Sequence, residues 1–395
     1  MSNHRVLWFM SFAQFLAMQV WFNFSAVMPY IEKEWNLTAS QSGIIIAFFQ
    51  IGYVLAIIVY SVLIEKYHPK YFIIYGAFAA GIAGVLFTFL VQGFWTGLLL
   101  RMLSGIGIAG IYVPGIRLLS SLFAPYERGK AVGIYVGSLV MGSGFSLLVS
   151  SLLIETIGWR GVVLVTSFFS IIAGYIVLKL NIPFSRNSQH PLKLSWGIFK
   201  KVFRKRNLLV NAGYSGHSWE LYAMWAWIGP FLVYYFHLQG FEETEAIRYG
   251  NLAGAIVIMV GGIATYIGGR LSDAFGRVKI ANLFLIISIA CSLSVGWLSN
   301  IPIVLMLLIV LVYGFTIVAD SPIYNVMIGE VCDPEILGLA LGVQSVLGYT
   351  VTIFSPLLFG LLLDAFSWGT AFTVIGAVTI IAPICMSFVK EERGV

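Results

Sequence analysis

Long apolar runs separated by short polar turns fill the chain almost from end to end. The runs lie near 7–30, 41–64, 71–92, 96–121, 130–154, 161–180, 208–236, 248–268, 279–299, 302–328, 337–362 and 368–389. Each is close to the roughly 20 residues with which a helix crosses a bilayer. They do not alternate at a period of two, and they are about twice the length of a barrel strand. The pattern therefore predicts an all-α membrane protein of twelve transmembrane helices. The first run has no small-residue cleavage site behind a short apolar stretch and reads as a retained helix. One polar stretch is long: 181–206, with Pro183, Ser185, Asn187, Ser188, Pro191 and a basic run from Lys200 to Arg206. Read as a linker, it divides the chain into six-helix bundles at 1–180 and 207–395.

The two divisions share their punctuation. Pro125, Gly129, Ala131, Gly133, Glu155 and Trp159 return, shifted by 209 residues, as Pro334, Gly338, Ala340, Gly342, Asp364 and Trp368. Ser61 and Glu65 map, one residue off, onto Gly269 and Asp273. A chain that repeats its turn residues at half its length is built from two copies of one unit. In an apolar chain such doubling marks carriers whose halves rock about a central site.

Composition agrees. The chain is 59% apolar and 10% charged, against about 25% charged for a soluble domain. With both termini in the cytoplasm, only Lys33, Arg160 and Arg248 of the 23 Lys and Arg fall outside, and only Arg101 and Arg117 fall within runs. The acids show no such bias, so the asymmetry orients the chain in the plasma (inner) membrane. The pI of 9.1 then reflects anchoring at anionic headgroups, and no nucleic-acid partner is implied. Cys291, Cys332 and Cys385 are too scattered for a disulfide framework or a metal site. There is no Gly-x-x-x-x-Gly-Lys-Ser/Thr stretch for ATP, no nucleophile beside a base and no His-rich cluster. No enzyme, metal or cofactor is expected; a proton gradient would supply the energy, and a monomer suffices.

The sharpest local motif is Gly268-Gly269-Arg270-Leu-Ser-Asp273-Ala274-Phe-Gly276-Arg277, between the eighth and ninth runs. Its glycines permit a tight turn, and its charges suit a cytoplasmic gate, since exposed ion pairs worth about 1 kcal/mol release easily. The first-half copy is degraded to Ser61-Val-Leu-Ile-Glu65-Lys66. With Arg101-x-x-x-Gly105-x-Gly107-x-Ala109 in the fourth run and Gly158-Trp159-Arg160 before the sixth, the whole chain resembles the major facilitator superfamily. The resemblance implies the fold of that family, a gate at Gly269, Arg270, Asp273, Gly276, Arg277 and Glu65, and a coupling or proton-relay role for Arg101. Ala274 stands where the family usually has a basic residue. The fifth run lacks the Gly-Pro of drug–proton antiporters, whereas Tyr112-Val-Pro114-Gly-Ile-Arg117 looks more like the small-anion porters.

A charge within a span costs several kcal/mol unless paired or wet, so each is a functional candidate. Arg101 serves coupling or ties helices through backbone carbonyls. Arg117, nearer the cytoplasm, meets an anionic substrate or belongs to the gate. His217 and Glu220, three apart in the seventh run, sit on neighbouring helix positions and form a candidate proton site; the alternative is a hydrogen-bonded pair that only packs the helix. Asp320, before Pro322 in the tenth run, is a further proton or substrate candidate where the helix bends. Tyr112, Asn23, Trp225 and Gln344 are candidate substrate contacts; Trp and Tyr also form interfacial belts. These residues lead to the expectation of a proton-linked transporter of a small organic or inorganic anion. The alternatives are a proton-coupled exporter of hydrophobic or cationic compounds and a membrane receptor that does not transport.

Overall fold

The computed structural model describes residues 2–64, 66–182, 200–333 and 336–390, with side chains at all of them except 62, 125, 126 and 338. Glu65, Pro334 and most of the 181–206 segment lie outside the described residues. The elements are α1 (Asn3–Trp35), α2 (Ala39–Leu63), α3 (Pro69–Leu90), α4 (Phe94–Ala109), α5 (Tyr112–Leu122), α6 (Pro125–Lys179), α7 (Lys205–Leu238), α8 (Glu243–Phe275), α9 (Arg277–Val295), α10 (Ile303–Ala319), α11 (Ser321–Val331), α12 (Leu337–Ala365), α13 (Trp368–Thr379) and α14 (Ile381–Ser387). The apolar runs all fall on helix, and no strand occurs among the described residues.

Local chemistry sets the helix ends. α2 opens with a reciprocal capping box between Thr38 and Gln41. Pro69 occupies the first turn of α3, where its missing N–H has no helical partner to lose. Gly276, at φ 102°, turns α8 into α9. α6 has 55 residues, about 80 Å of helix and far more than one bilayer. Gly158 breaks it at φ 64° and ψ 178°, so it crosses and returns, with Trp159 and Arg160 at the bend. α4 gives way to α5 at Ile111, and α10 to α11 at Asp320. Those two breaks obey the same 209-residue shift as the turns.

Nine described stretches are long and apolar enough to span a bilayer. α1 and α7 are not among them, although they have 33 and 34 residues. The reason is their polar content: Gln14, Gln19 and Asn23 in α1, and Asn207, Asn211, His217 and Glu220 in α7, all buried. These two helices lie inside the assembly. The outer helices turn Leu55, Phe89, Tyr266 and Val304 outward instead. Apolar groups therefore face lipid and polar groups face protein, as hydrocarbon solvent requires.

α1 packs along α6, α2 packs against α4, and α7 packs against α8 and α12. The helices before and after the 181–206 segment meet through α2 with α12 and α6 with α8. That meeting lies toward the end bearing Lys33, Glu243 and Asp364. There α2 and α12 touch backbone to backbone: a Cβ on Gly360 would fall 2.3 Å from the Ala39 carbonyl oxygen, and one on Gly43 2.8 Å from that of Pro356. Asn251 of α8 donates to the Ala26 carbonyl at 2.8 Å and to Ser150 Oγ at 3.1 Å. Toward the end bearing the chain termini the helices stand apart. A Cβ on Gly129, Gly133, Gly137 or Gly342 would meet no described atom within 4 Å. The molecule is a cleft closed at the far end and open at the terminal end.

Within the first set of helices, Gly105 lets α4 approach α2 so closely that a Cβ would lie 2.0 Å from the Phe49 carbonyl oxygen. Gly105→Ala is expected to destabilise the detergent-solubilised protein by about 1–3 kcal/mol through overpacking, read as a lowered Tm. Gly137→Ala, in open space, should leave Tm unchanged or raise it, because alanine is the better helix former.

Candidate functional site

The closed part of the cleft ends on aromatic rings from both sets of helices. Trp21 of α1 lies 4.8 Å from Tyr53 of α2 and 5.7 Å from Tyr222 of α7, centroid to centroid. Tyr349 of α12 approaches Tyr53 at 4.9 Å and Tyr222 at 6.0 Å. Trp225 packs on Phe22 at 5.6 Å, and its indole N–H is buried without a hydrogen-bond partner among the described residues. Tyr222 and Trp225, three apart on α7, thus share the face turned toward α1. Rings offset or tilted at these distances attract one another by about 0.5–1.5 kcal/mol per pair.

Deeper among the later helices, the break at Asp320 assembles a polar network. His217 Nδ1 lies 2.8 Å from Asp320 Oδ1, and the two side chains are 3% and 1% exposed. His217 Nε2 is 2.8 Å from Ser321 Oγ. The Tyr324 hydroxyl donates to Asp320 Oδ2 at 2.9 Å. Since α10 ends at Ala319 and α11 starts at Ser321, the break lets Asp320 and Ser321 both face α7. Tyr324 follows Asp320 by four residues and so stands over it on α11. Tyr324 thus hydrogen-bonds one carboxylate oxygen, while His217 stands within ion-pair distance of the other without the alignment of a hydrogen bond.

The sequence set His217 beside Glu220; the structure gives them different partners. Three residues along a helix leave two side chains about 60° apart around the axis and about 4.5 Å apart along it; here His217 meets α10 and α11 while Glu220 meets α9. Glu220 Oε2 accepts from Ser288 Oγ of α9 at 3.1 Å, and Tyr313 of α10 is a second neighbour. The imidazole's acidic partner is Asp320.

Arg101 is buried at 4% exposure and pairs with no acid among the described residues. Nη1 donates to the Val20 carbonyl at 2.8 Å and to Asn23 Oδ1 at 3.0 Å, and Nη2 to the Trp21 carbonyl at 2.8 Å. The guanidinium lies 4.4 Å from the Phe49 ring centroid. It therefore fastens α4 to the middle of α1, one residue from the aromatic floor. Asn23, expected to touch substrate, is instead committed to Arg101 and, through Nδ2, to Thr166 at 3.0 Å. Gln344 donates to the Tyr324 carbonyl at 3.4 Å and so abuts the Asp320 network. Tyr112 is partly buried and Arg117 exposed on α5.

In the gate motif, Arg277 pairs with Asp273, donates to Ser272 Oγ at 2.8 Å, and reaches Glu330 of α11 at 3.3 Å. Gly269 is open and Arg270 exposed. The motif's charges tie α8, α9 and α11 together at the open end. Glu330 escaped the sequence reading because its partner is 53 residues away. Ser321 and Tyr324 were findable, being adjacent to and four residues from Asp320. Tyr53 and Ser288 carry no local signal.

Arg101→Lys keeps the charge but cannot fan over three acceptors. We expect it to lower thermal stability by about 2–3 kcal/mol, hydrogen bonds to a charged group being worth roughly 1.5–3 kcal/mol. Parallel melting curves of Arg101→Lys and Asn23→Ala would check this, with the asparagine variant the milder.

The Major Facilitator Superfamily family model matches residues 10–319 and 222–394. A D-galactonate transporter of Escherichia coli is 22% identical over 92% of this chain and 89% of its own. A nitrate/nitrite transporter of Picosynechococcus is 34% identical over 37% of this chain and 27% of its own. A crystal structure of a bacterial homologue of the human lysosomal transporter Spinster, in an inward-facing and unoccupied conformation, superposes with a TM-score of 0.76 at 17% identity, covering 98% of this chain and 96% of that one.

Proposed function

The chain belongs to the Major Facilitator Superfamily and is an integral membrane transporter, not an enzyme; on that premise we propose that it carries a small anion with protons. The observation that carries the proton part is the His217–Asp320 contact at 2.8 Å, closed by Tyr324 and Ser321. Histidine is a side chain that can pass a proton on, and the Asp320 carboxylate stands within transfer distance of it. When Asp320 is ionised it orients the His217 ring and accepts from Tyr324. When the pair takes up a proton, the attraction across α7, α10 and α11 changes, and it does so at a helix break. A break absorbs a change of angle more readily than a continuous helix. Glu220, held by Ser288, is a second carboxyl that can gain or lose a proton without disturbing that break.

The anion part rests on the lining of the cleft. The aromatic floor offers donors, the Trp225 indole and the phenols of Tyr53, Tyr222 and Tyr349, with Arg117 exposed on α5. Asp320 is held by Tyr324 and His217, and Glu220 through Oε2 by Ser288, with Glu220 Oε1 lacking a hydrogen-bond partner among the described residues. The relatives named for D-galactonate and for nitrate/nitrite support the same direction. In this reading, 1–180 and 207–395 form the two rocking bundles, with 181–206 as their linker. The terminal end with its Gly269–Arg277 cluster faces the cytoplasm, and the protein works as a monomer in the plasma membrane.

Reconstitution with an acid-outside gradient and panels of carboxylates, sulfonates, nitrate and organic cations tests both parts. Proton flux should follow anions; flux with cations alone overturns the anion reading. Asp320→Asn should reduce gradient-driven uptake to background while leaving energy-independent counterflow. An Asp320→Asn protein that still concentrates substrate would remove the pair from proton coupling.

A further inference from the structure

We propose that Asp364 and Glu32 form a proton-responsive latch that closes the far end of the cleft by holding the first turn of α2 against α12. It rests on the chain being a transporter whose two sides open alternately, and not on the anion or on His217 and Asp320.

A helix leaves its first four amides without internal partners. In α2 two of them are satisfied from its own sequence: Thr38 N donates to Gln41 Oε1 at 2.9 Å and Gln41 N to Thr38 Oγ1 at 3.2 Å. The other two are satisfied from the opposite half. Ala39 N donates to Asp364 Oδ1 at 2.8 Å, and Ser40 N to Asp364 Oδ2 at 2.8 Å, with the Ser40 hydroxyl on the same oxygen. Bonds to an ionised acceptor are among the strong ones, and the positive end of the helix dipole adds to them. The close backbone contacts at Gly43 and Gly360 flank this cap. Opening the far end must therefore break it.

Glu32, beyond the first apolar run at the end of α1, shares the same helix end. Its Oε1 is shielded from water and has no hydrogen-bond partner among the described residues. Ser42 of α2 lies beside it, and Asp364 of α12 faces it across the junction. The other charges there are engaged elsewhere or face outward. Lys33 pairs with Glu243 of α8 at 2.7 Å, Arg160 of α6 pairs with Glu34 at 3.0 Å, and Glu155 of α6 is exposed. Burial, reinforced by the charge of Asp364 and opposed by Ser42, pushes the Glu32 carboxyl up to about 7. Burial works the same way on Asp364, but the Ser40 hydroxyl and the amides of Ser40 and Ala39 outweigh it and hold that carboxyl below the usual range.

The signs follow. In the closed state Glu32 keeps its proton up to about 7; opened and wetted, it returns toward the ordinary carboxylate range. Closing thus takes up a proton, and closure strengthens as pH falls from about 7 into that range and is lost as pH rises through 7. Asp364 contributes while ionised and is lost only at much lower pH. Above pH 7, ionised Glu32 puts a second carboxylate against Asp364 and loosens the junction. If the far end faces outside, a proton from outside is captured by the act of closing.

The test is distance measurement between spin labels at Gln92 and Asn300, exposed on opposite halves at the far end, in protein lacking Cys291, Cys332 and Cys385. Between pH 8.5 and 5.5 the short, closed distance should gain population, the gain setting in near 7 and rising by at most roughly tenfold per pH unit below it. Glu32→Gln should remain closed across the range. Asp364→Asn should open at every pH, and Ser40→Ala, losing one hydroxyl bond, should open in the same direction by less. A distance that ignores pH, or a Glu32→Gln protein that keeps the native pH response, overturns the latch. Asp320→Asn separates the two sites: a pH response lost there and kept in Glu32→Gln leaves the proposed transport reading standing without the latch, and the reverse supports the latch.

Discussion

Hydrocarbon offers no partner to an amide, a carbonyl or a charge, and a chain that lives in it must find every partner within itself. That constraint explains why the two least apolar long helices, α1 and α7, are also among the most enclosed. Their glutamines, asparagines, His217 and Glu220 would be prohibitive on the outer surface. Placed centrally, some of them find partners on neighbouring helices: Asn23 meets Arg101 and Thr166, and His217 meets Asp320 and Ser321, while Gln19 and Asn211 have no hydrogen-bond partner among the described residues. The same constraint turns Arg101 into a fastener. A buried guanidinium without an acid needs acceptors, and the Val20 and Trp21 carbonyls supply them at 2.8 Å.

Satisfying polar groups internally ties helices together, whereas transport requires that some of those ties be remade. The structure separates the two demands by place. Arg101 binds α4 to α1 within one set of helices, and Ser288, Glu220 and the Asp320 network bind α7 to α9, α10 and α11 within the other. Few polar bonds cross between the sets. Among the described residues, those from Asn251, Lys33 and the α2 amides gather at the closed end. Between them the crossing surface is aromatic, and rings that attract without fixed hydrogen bonds can part and rejoin without stranding a polar atom. Rigid bodies with a thin, mostly non-directional seam are what rocking needs.

The fold was largely legible in the sequence, since run length and turn residues depend only on the bilayer and on local backbone chemistry. Gly158 marked the break in α6, and the 209-residue echo extends to the helix breaks at Ile111 and Asp320. The site was less legible. Helical spacing brought His217 near Glu220, but spacing fixes only neighbours along one helix. Which of two side chains, about 60° apart around the helix, meets Asp320 in the tenth run depends on how α7 is turned, and that is set by packing. Arg101 read equally well as a relay or as a tie, because both need a buried guanidinium; only the carbonyls of α1, some 80 residues away, reveal the tie. Tyr53, Ser288 and Glu330 are ordinary residues in the sequence, and they gain meaning only from partners on other helices.

The echo also shows where the copies parted. Glu155 and Asp364 are related by the 209-residue shift; Asp364 meets the start of α2, and Glu155 lies with Glu243 near Tyr30. Asp364 meets an α2 first turn that carries no acid, so its carboxylate caps free amides. Glu155 looks toward α8, which begins with Glu242, Glu243 and Glu245. Those acids already complement the dipole and would repel a fourth, and Lys33 takes up Glu243 instead. That ion pair is well exposed, and exposed pairs contribute at most about 1 kcal/mol. The cap uses two backbone donors that have no other protein partner. One copy of the duplicated acid thus became a joint between the halves while the other stayed a surface charge, and the strength of the closed end rests on one side of a pseudo-symmetric structure.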